Sequence, residues 1–597
     1  MKNERLKQLV DKMKDLKIDA YVVPSTDPHQ SEYVPNHWQR RSFISGFTGS
    51  AGDLVITEHK AGLWTDSRYF IQAEAQLKGT GIELFRLGIP STPSIPRWLC
   101  NQLEAQDAVG VDSRLFSVKQ YEKYQSILEK SGISLRSLEH NPIDSIWTNR
   151  PPLSSAPVQA HPLKFSGQSI AKKLSTLRRE MDGIGASVHL VTTLDAIAWL
   201  FNIRGSDVPF NPVVIANAAI EQHSAHLFVD DSKIDDHLRK HLGDQVQCHP
   251  YDDFGVYLNS IDVADKVLLD PDTTSQWTIS KLPSPVKIVK KQSPIVLMKA
   301  KKNEVELAGM EAAHQRDGAA MVRFLSWLEN QTEQTPITEI RAAEKLAEIR
   351  SNGEHFVGLS FGTISAFGPN GAIVHYEPDQ TSNAEIKKDN LYLVDSGGQY
   401  LDGTTDITRT ICLGEPTAEQ RLCFTKVLKG HLNLAATPFP YGTSGNQLDT
   451  IARKPLWELG LNYGHGTGHG VGAYLNVHEG PQAISYYRGM GIPLEEGMIL
   501  SIEPGCYKEG KWGIRIENLV KVVIDDQRSF NDVTFLKFVS LTLCPIDRKL
   551  IDTALLTESE LNQLDRYHKT VYEKLSPLLS SETGKWLRAA TAPFCQK

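Results

Sequence analysis

The run GHGTGHGVGAYLNVHEGP, residues 464–481, sets His465, His469 and His478 among glycines and other small residues. Small residues let backbones approach closely, as a tightly built site requires. Histidine alone decides little, because a single imidazole serves as readily in a core or on a surface as on a ligand. Acids converging on the same place would change that. Four strand-like segments carry one where an apolar residue would continue the pattern. LYLVDSGG contains Asp395, and YLDGTTDITRTI contains Asp406, with Thr404 and Thr408 on the same side by alternation. MILSIEPG brings Glu503 before a proline that stops the strand. GIRIENLVKV holds Glu517, with Ile514 and Ile516 on the opposite face and Arg515 on its own. Carboxylates buried without partners are costly, so either they protonate or cations neutralise them. Four carboxylates and the imidazole of His469 suit two divalent metals sharing bridging carboxylates, drawn from Mn, Co, Fe or Zn.

The elements that must position these residues lie in the second half of the chain. NEVELAGMEAAHQRDGAAMVRFLSWLEN reads as a long helix and ITEIRAAEKLAEIRS as a second. From 355 to 540 strands dominate, broken by Gly and Pro turns, and after about 543 the sequence returns to helix. The first three hundred residues carry a faint repeat. A helix, a short strand and an acid (LKIDAYVVPSTD, ending at Asp27) lead through FISGFTGSAG to LWTD at Asp66. The same order recurs from MDGIGASVHLVTTLD, ending at Asp195, to HLFVD at Asp230. Two α/β domains of similar build explain it. RPPLSSAPVQAHPLKFSG, with four prolines, reads as the linker between them. A lysine-rich stretch, KIVKKQSPIVLMKAKKNEVE, reads as a solvated connector to the second half.

At 597 residues the chain is too long for one core, and about three or four domains are expected. A net charge of -7 gives no overall pull toward nucleic acid or an anionic membrane. No apolar run approaches the roughly 20 residues of a membrane helix. The charged start MKNERLKQLVDKMKDLKIDA reads as an amphipathic surface helix and no signal peptide. Seven cysteines without a C-x-x-C pair argue against a disulfide framework or a structural zinc site, so a reducing, cytoplasmic setting is expected.

The ordered set Asp395, Asp406, His469, Glu503 and Glu517, with GAIVHYEP upstream and GHGTGHGVG around His469, resembles that of the pita-bread metallopeptidases. Within them it resembles the aminopeptidase P (Xaa-Pro aminopeptidase) family in its long, three-domain cytosolic form. VVPSTDPHQSEYVP, FISGFTGSAG, LWTDSRYF and DAIAWLFNIRGSDVPFNPV carry the likeness through the first half. The resemblance implies mixed α/β and α+β architecture: creatinase-like α/β domains over 1–150 and 160–297, a pita-bread catalytic domain over 298–540, and a helical extension over 541–597. It makes Asp395 a ligand of one metal, His469 and Glu503 ligands of the other, and Asp406 and Glu517 bridges between them. A hydroxide between the metals, most often Mn2+, would attack the carbonyl before a penultimate proline, with Glu503 as proton shuttle. His375, His465 and His478 would bind substrate and stabilise the oxyanion, and Arg515 would support the bridging Glu517. Peptides with proline second are the implied partners, with no nucleic acid and no membrane, and a homodimer is the implied assembly.

Relatives with the same ligands set the alternatives. Prolidase, which cuts Xaa-Pro dipeptides, normally has one N-terminal domain, and methionine aminopeptidase usually has none. Creatinase lacks the metals. Non-catalytic pita-bread proteins that bind peptides, histones or nucleic acid typically replace ligands, and no replacement is present here.

Overall fold

The computed structural model describes residues 3–332 and 335–594, so the outermost positions of the first and last expected domains lie outside it. The described chain divides into two compact units: residues 1–161 with 168–296, and residues 162–167 with 297–597.

The first unit contains two six-stranded sheets. In one, the order is Ile82–Arg86, Ala61–Thr65, Asp53–Thr57, Ala20–Val23, Ala108–Asp112 and Ser134–Leu138. In the other it is Val246–His249, Ala225–Val229, Ala216–Glu221, Val188–Val191, Lys266–Leu269 and Lys287–Lys290. Both run parallel, antiparallel, antiparallel, parallel, parallel along that order. The faint repeat in the sequence is therefore a repeat of strand order and sense. The parallel strands are joined by amphipathic helices. Helix Glu4–Asp15, ahead of the first strand, is capped by Asn3 and buries Leu6, Leu9, Val10 and Met13.

The second unit carries the site segments. Helix Glu304–Gln331 starts at a capping box of Asn303 and Glu306. Asn303 also donates from Nδ2 to the Ser166 carbonyl at 2.9 Å, which explains why residues 162–167, read as linker, belong to this unit. A three-stranded sheet orders Ile364–Phe367, Leu391–Ser396 and Ile407–Cys412. A six-stranded sheet orders Phe439–Pro440, Val533–Ser540, Asn518–Phe530, Ile499–Ile502, Gly468–Gly470 and Glu479–Ile484. Helices Ala418–Ala436 and Gly445–Trp457 bury apolar faces in the cores of this unit, and Glu558–Leu575 and Ser581–Ala590 close the chain. Among the described residues no helix is long and apolar enough to cross a membrane.

The lysine-rich connector is only partly solvated. Lys287, Lys290, Lys291 and Lys301 are exposed, but Lys299 and Lys302 are buried. Both reach one carboxylate, that of Glu479: Lys299 Nζ lies 2.6 Å from Oε2, and Lys302 pairs with Oε1. Charge counting along the sequence could not find this, because the partner lies far along the chain.

Candidate metal centre

Strand register brings the first acid to its neighbours. Asp395 pairs with Ile364 on one side and Thr408 on the other. Asp406 precedes the strand that carries Thr408, between that strand and Gly403–Thr404. Glu503 and Glu517 likewise sit at strand ends, after Ile499–Ile502 and before Asn518–Phe530, which pair with each other. The acids thus sit at ruptures of the ladder, or in the case of Asp395 inside it. Glu517 N–H donates to the Thr408 carbonyl at 3.2 Å, joining the two sheets at the site.

The glycine-rich segment is held close to its neighbours. A Cβ on Gly468 would lie 1.9 Å from the Ser501 carbonyl oxygen, and one on Gly470 2.3 Å from that of Glu479. Only glycine allows that approach. Helix Gly445–Trp457 fixes the segment from behind. Arg453 donates to the carbonyls of His465 at 2.8 Å and Tyr463 at 2.7 Å, and its partner Asp449 accepts from Thr467 Oγ1 at 2.6 Å.

Asp406, His469 and Glu517 each offer one ligand atom, all within 4.8 Å of one another. His469 Nδ1 donates to the Gly470 carbonyl at 2.9 Å, which turns Nε2 toward Asp406 Oδ2 at 3.4 Å and Glu503 Oε1 at 3.5 Å. The His478 ring stands edge-on to that of His469, centroids 4.4 Å apart. Arg515 Nη2 donates to Asp395 Oδ2 at 2.7 Å and Nη1 to the Tyr507 hydroxyl at 2.7 Å. Tyr507 lies 2.8 Å from His465 Nε2, while His465 Nδ1 faces the Gly466 carbonyl at 2.7 Å. A carbonyl only accepts, so Nδ1 carries the hydrogen that faces Gly466. Thr408 Oγ1 accepts from Arg515 Nε at 3.1 Å and donates to Glu517 Oε2 at 2.8 Å. His375 lies in a turn next to Val374, whose carbonyl accepts from Arg515 Nη2 at 3.4 Å.

The electrostatics of the cluster favour a bound cation. Burial pushes Asp395 up to about 7 despite Arg515, with Asp406 and Glu503 adding to the rise. Burial and neighbouring carboxylates also raise Glu503, and they raise Glu517 well above the carboxylate range. Burial opposes the imidazolium of His469, but Asp406 and Glu503 outweigh it and raise the ring to about 9. Asp395 Oδ1 is buried with no hydrogen-bond partner. An orphaned carboxylate oxygen, crowded acids and a nitrogen donor held in one tautomer fit bound cations, and the oxygen-rich donor set fits hard or borderline ions.

Residues 308–523 match Metallopeptidase family M24, and 534–594 match the C-terminal region of that peptidase family. Residues 5–144 and 149–306 each match the Creatinase/Prolidase N-terminal domain. Aminopeptidase P2 of Arabidopsis thaliana is 43% identical over 97% of this chain and 86% of its own. A probable Xaa-Pro aminopeptidase P of Paracoccidioides brasiliensis is 42% identical over 99% of both. The chain belongs to the Xaa-Pro aminopeptidase P family of M24 metallopeptidases. An X-prolyl aminopeptidase from Caenorhabditis elegans, described as a cytosolic enzyme with a di-nuclear active site, superposes with a TM-score of 0.95 at 37% identity, covering 99% of each chain. The expected fold, two creatinase-like domains and an M24 domain with a helical extension, is thus the fold of this family member.

One site residue of this M24 domain, Tyr507, escapes a reading of the sequence. Tyr507 joins Arg515 to His465, and its only signal is its place in the hairpin strand Gly505–Lys508, opposite Gly513. Thr408 was visible by alternation with Asp406, but its bonds to both Arg515 and Glu517 depend on two separate sheets meeting.

Proposed function

We propose that the protein is a metal-dependent aminopeptidase that hydrolyses the bond between an N-terminal residue and a penultimate proline. The observation that carries this reading is the meeting of Asp406, His469 and Glu517, flanked by Glu503 and Asp395, in a chain about as long as its Xaa-Pro aminopeptidase relatives. Asp395, Asp406, His469, Glu503 and Glu517 would hold two divalent ions, with Asp406 and Glu517 shared. Bound there, the ions would supply a water acidified to near neutrality and a Lewis acid for the scissile carbonyl. Manganese suits four carboxylates and one imidazole.

The chain's own residues do the rest. Arg515 holds Asp395 and, through Thr408, Glu517, so both carboxylates keep one orientation. The scissile nitrogen of an Xaa-Pro bond is tertiary and lacks an N–H, so the site must deliver a proton as the nitrogen leaves. Glu503 takes a proton and passes it to that nitrogen. His375, His465 and His478 bind substrate and stabilise the developing oxyanion. The His465 ring is held by Tyr507 and the Gly466 carbonyl, with Nδ1 3.9 Å from Glu503 Oε2. A free substrate α-amine would be anchored by the acids around Asp395. The protein would act in the cytoplasm as a homodimer, for which exposed Tyr441, Trp457 and Met490 on the catalytic unit offer apolar surface.

A panel of peptides tests the reading with added Mn2+. Ala-Pro-Ala and longer Xaa-Pro peptides should lose one N-terminal residue, and their N-acetylated forms should stay intact. Cleavage restricted to Xaa-Pro dipeptides would make the protein a prolidase. Cleavage of Ala-Ala-Ala at the rate of Ala-Pro-Ala would remove the proline specificity.

A further inference from the structure

Glu339 is the first residue of helix Glu339–Ser351, yet its side chain is fully buried, away from the solvent that usually receives an acid there. Its oxygens collect donors from one loop. Phe367 N–H donates to Oε1 at 2.6 Å and Ala384 N–H to Oε2 at 2.8 Å. The Asn370 amide spans both oxygens at 2.9 and 3.1 Å. The Tyr376 hydroxyl lies 2.8 Å from Oε2. The backbone joins in: Glu339 N–H donates to the Ala384 carbonyl at 3.0 Å, and Ile340 N–H to Asn383 Oδ1 at 3.0 Å. The two ends of the stretch 367–384 and its middle are thus tied to one carboxylate.

His375 stands in that stretch, between two anchors. On its N-terminal side the Val374 carbonyl accepts from Arg515, the same guanidinium that holds Asp395. On its C-terminal side Tyr376 reaches Glu339. A carboxylate receiving several donors in a dry environment holds them strongly, since charge-assisted bonds are about twice as strong as neutral ones. We infer that Glu339 is a positioning residue: it fixes the loop 367–384 so that His375 is presented to the substrate at the metal centre. The inference rests on the substrate-binding role proposed for His375, while the anchoring itself stands on the hydrogen bonds.

Two measurements separate these parts. Hydrogen exchange on metal-loaded Glu339→Gln should show faster exchange of amides in 367–384, with helix Glu304–Gln331 as protected as in the parent. Unchanged protection of the loop would overturn the anchoring, whatever the enzyme cleaves. In turnover, kcat on Ala-Pro-Ala should fall about ten- to a hundredfold, the scale of a small misplacement, with metal content kept. Glu339→Gln added to His375→Ala should cost little more than His375→Ala alone, because both act through one imidazole. A full multiplicative loss in the double variant would mean a general structural role and overturn the inference. If Glu339→Gln fails to fold, Tyr376→Phe, which removes one donor of the set, carries both measurements with smaller shifts. If the parent cleaves no Xaa-Pro peptide but the loop loosens as expected, the proposed function fails and the anchoring holds.

Discussion

Asp406 faces His469 Nε2 at 3.4 Å and shares a metal-sized cluster with Glu517, so a substitution there removes charge from the centre with little change of shape. Asp406→Asn is expected to lower bound metal and activity together. Elemental analysis beside an Ala-Pro-Ala assay checks it, and full activity with metal absent would refute the assignment. The three histidines of the glycine-rich segment divide differently. His469→Ala should lose metal as well as turnover, since its Nε2 points at two acids. His465→Ala and His478→Ala should bind metal normally and turn over slowly. Losing one donor to a developing oxyanion costs about 2.7–4 kcal/mol, or roughly a hundred- to thousandfold in kcat. For His478 the loss should fall on kcat, because the interaction strengthens as charge develops. His465 should also raise KM, through substrate binding. Metal content measured beside kcat and KM decides it: a metal-free His478→Ala would break this division.

The strands and helices that carry these residues were legible to different depths. Helix Glu304–Gln331 could be read from its apolar residues among good helix formers, a local signal. The acids stood out because each interrupted an apolar run. What the sequence withheld was long-range pairing: Tyr507 with His465 across 42 positions, Thr408 with Glu517 across 109, and Glu479 with Lys299 across 180. The last is an element-scale device. Glu479 follows His478 and pairs in register with Gly470. Its two lysines therefore tie residues 299–302 to the strand beside the site. Burial lowers the Lys302 ammonium from its usual range, although Glu479, with a smaller contribution from Glu306, opposes this. Glu479→Gln removes the carboxylate that both buried lysines contact, and breaking such a pair costs about 3–5 kcal/mol. Chemical denaturation of the metal-loaded protein should show a loss of that order. Replacing Glu479 and both lysines by apolar residues should recover much of it. A Glu479→Gln protein as stable as the parent would show that the triad is not a tie.

Across the whole molecule, buried histidines make stability fall in mild acid. In the first unit burial holds His189 down to about 4, partly offset by the Leu268 carbonyl that Nδ1 donates to at 3.1 Å. Nε2 of the same ring meets Ser293 Oγ at 2.8 Å. In the second unit burial, with Arg409 adding to it, holds His431 and His568 each down to about 3. In the unfolded chain all three would titrate near 6.5, roughly. Each folded value lies below the unfolded one, so between the two the unfolded state binds more protons and stability rises with pH. The contribution is complete above the unfolded value and is lost as pH falls toward the folded one. For His189 that window runs from roughly 6.5 down to about 4 and amounts to about 3 kcal/mol. The two units have separate cores, so the loss belongs to each on its own. Native-state hydrogen exchange of the paired strands Val188–Val191 and Lys266–Leu269, corrected for intrinsic rate, reads the first unit's share. His189→Gln keeps a donor and an acceptor without titrating. It should flatten the pH dependence of those strands by one proton's worth, about 1.4 kcal/mol per pH unit, between pH 6 and 5, while leaving strands of the second unit unchanged. An equal slope in parent and variant would mean that His189 is already charged in the folded protein.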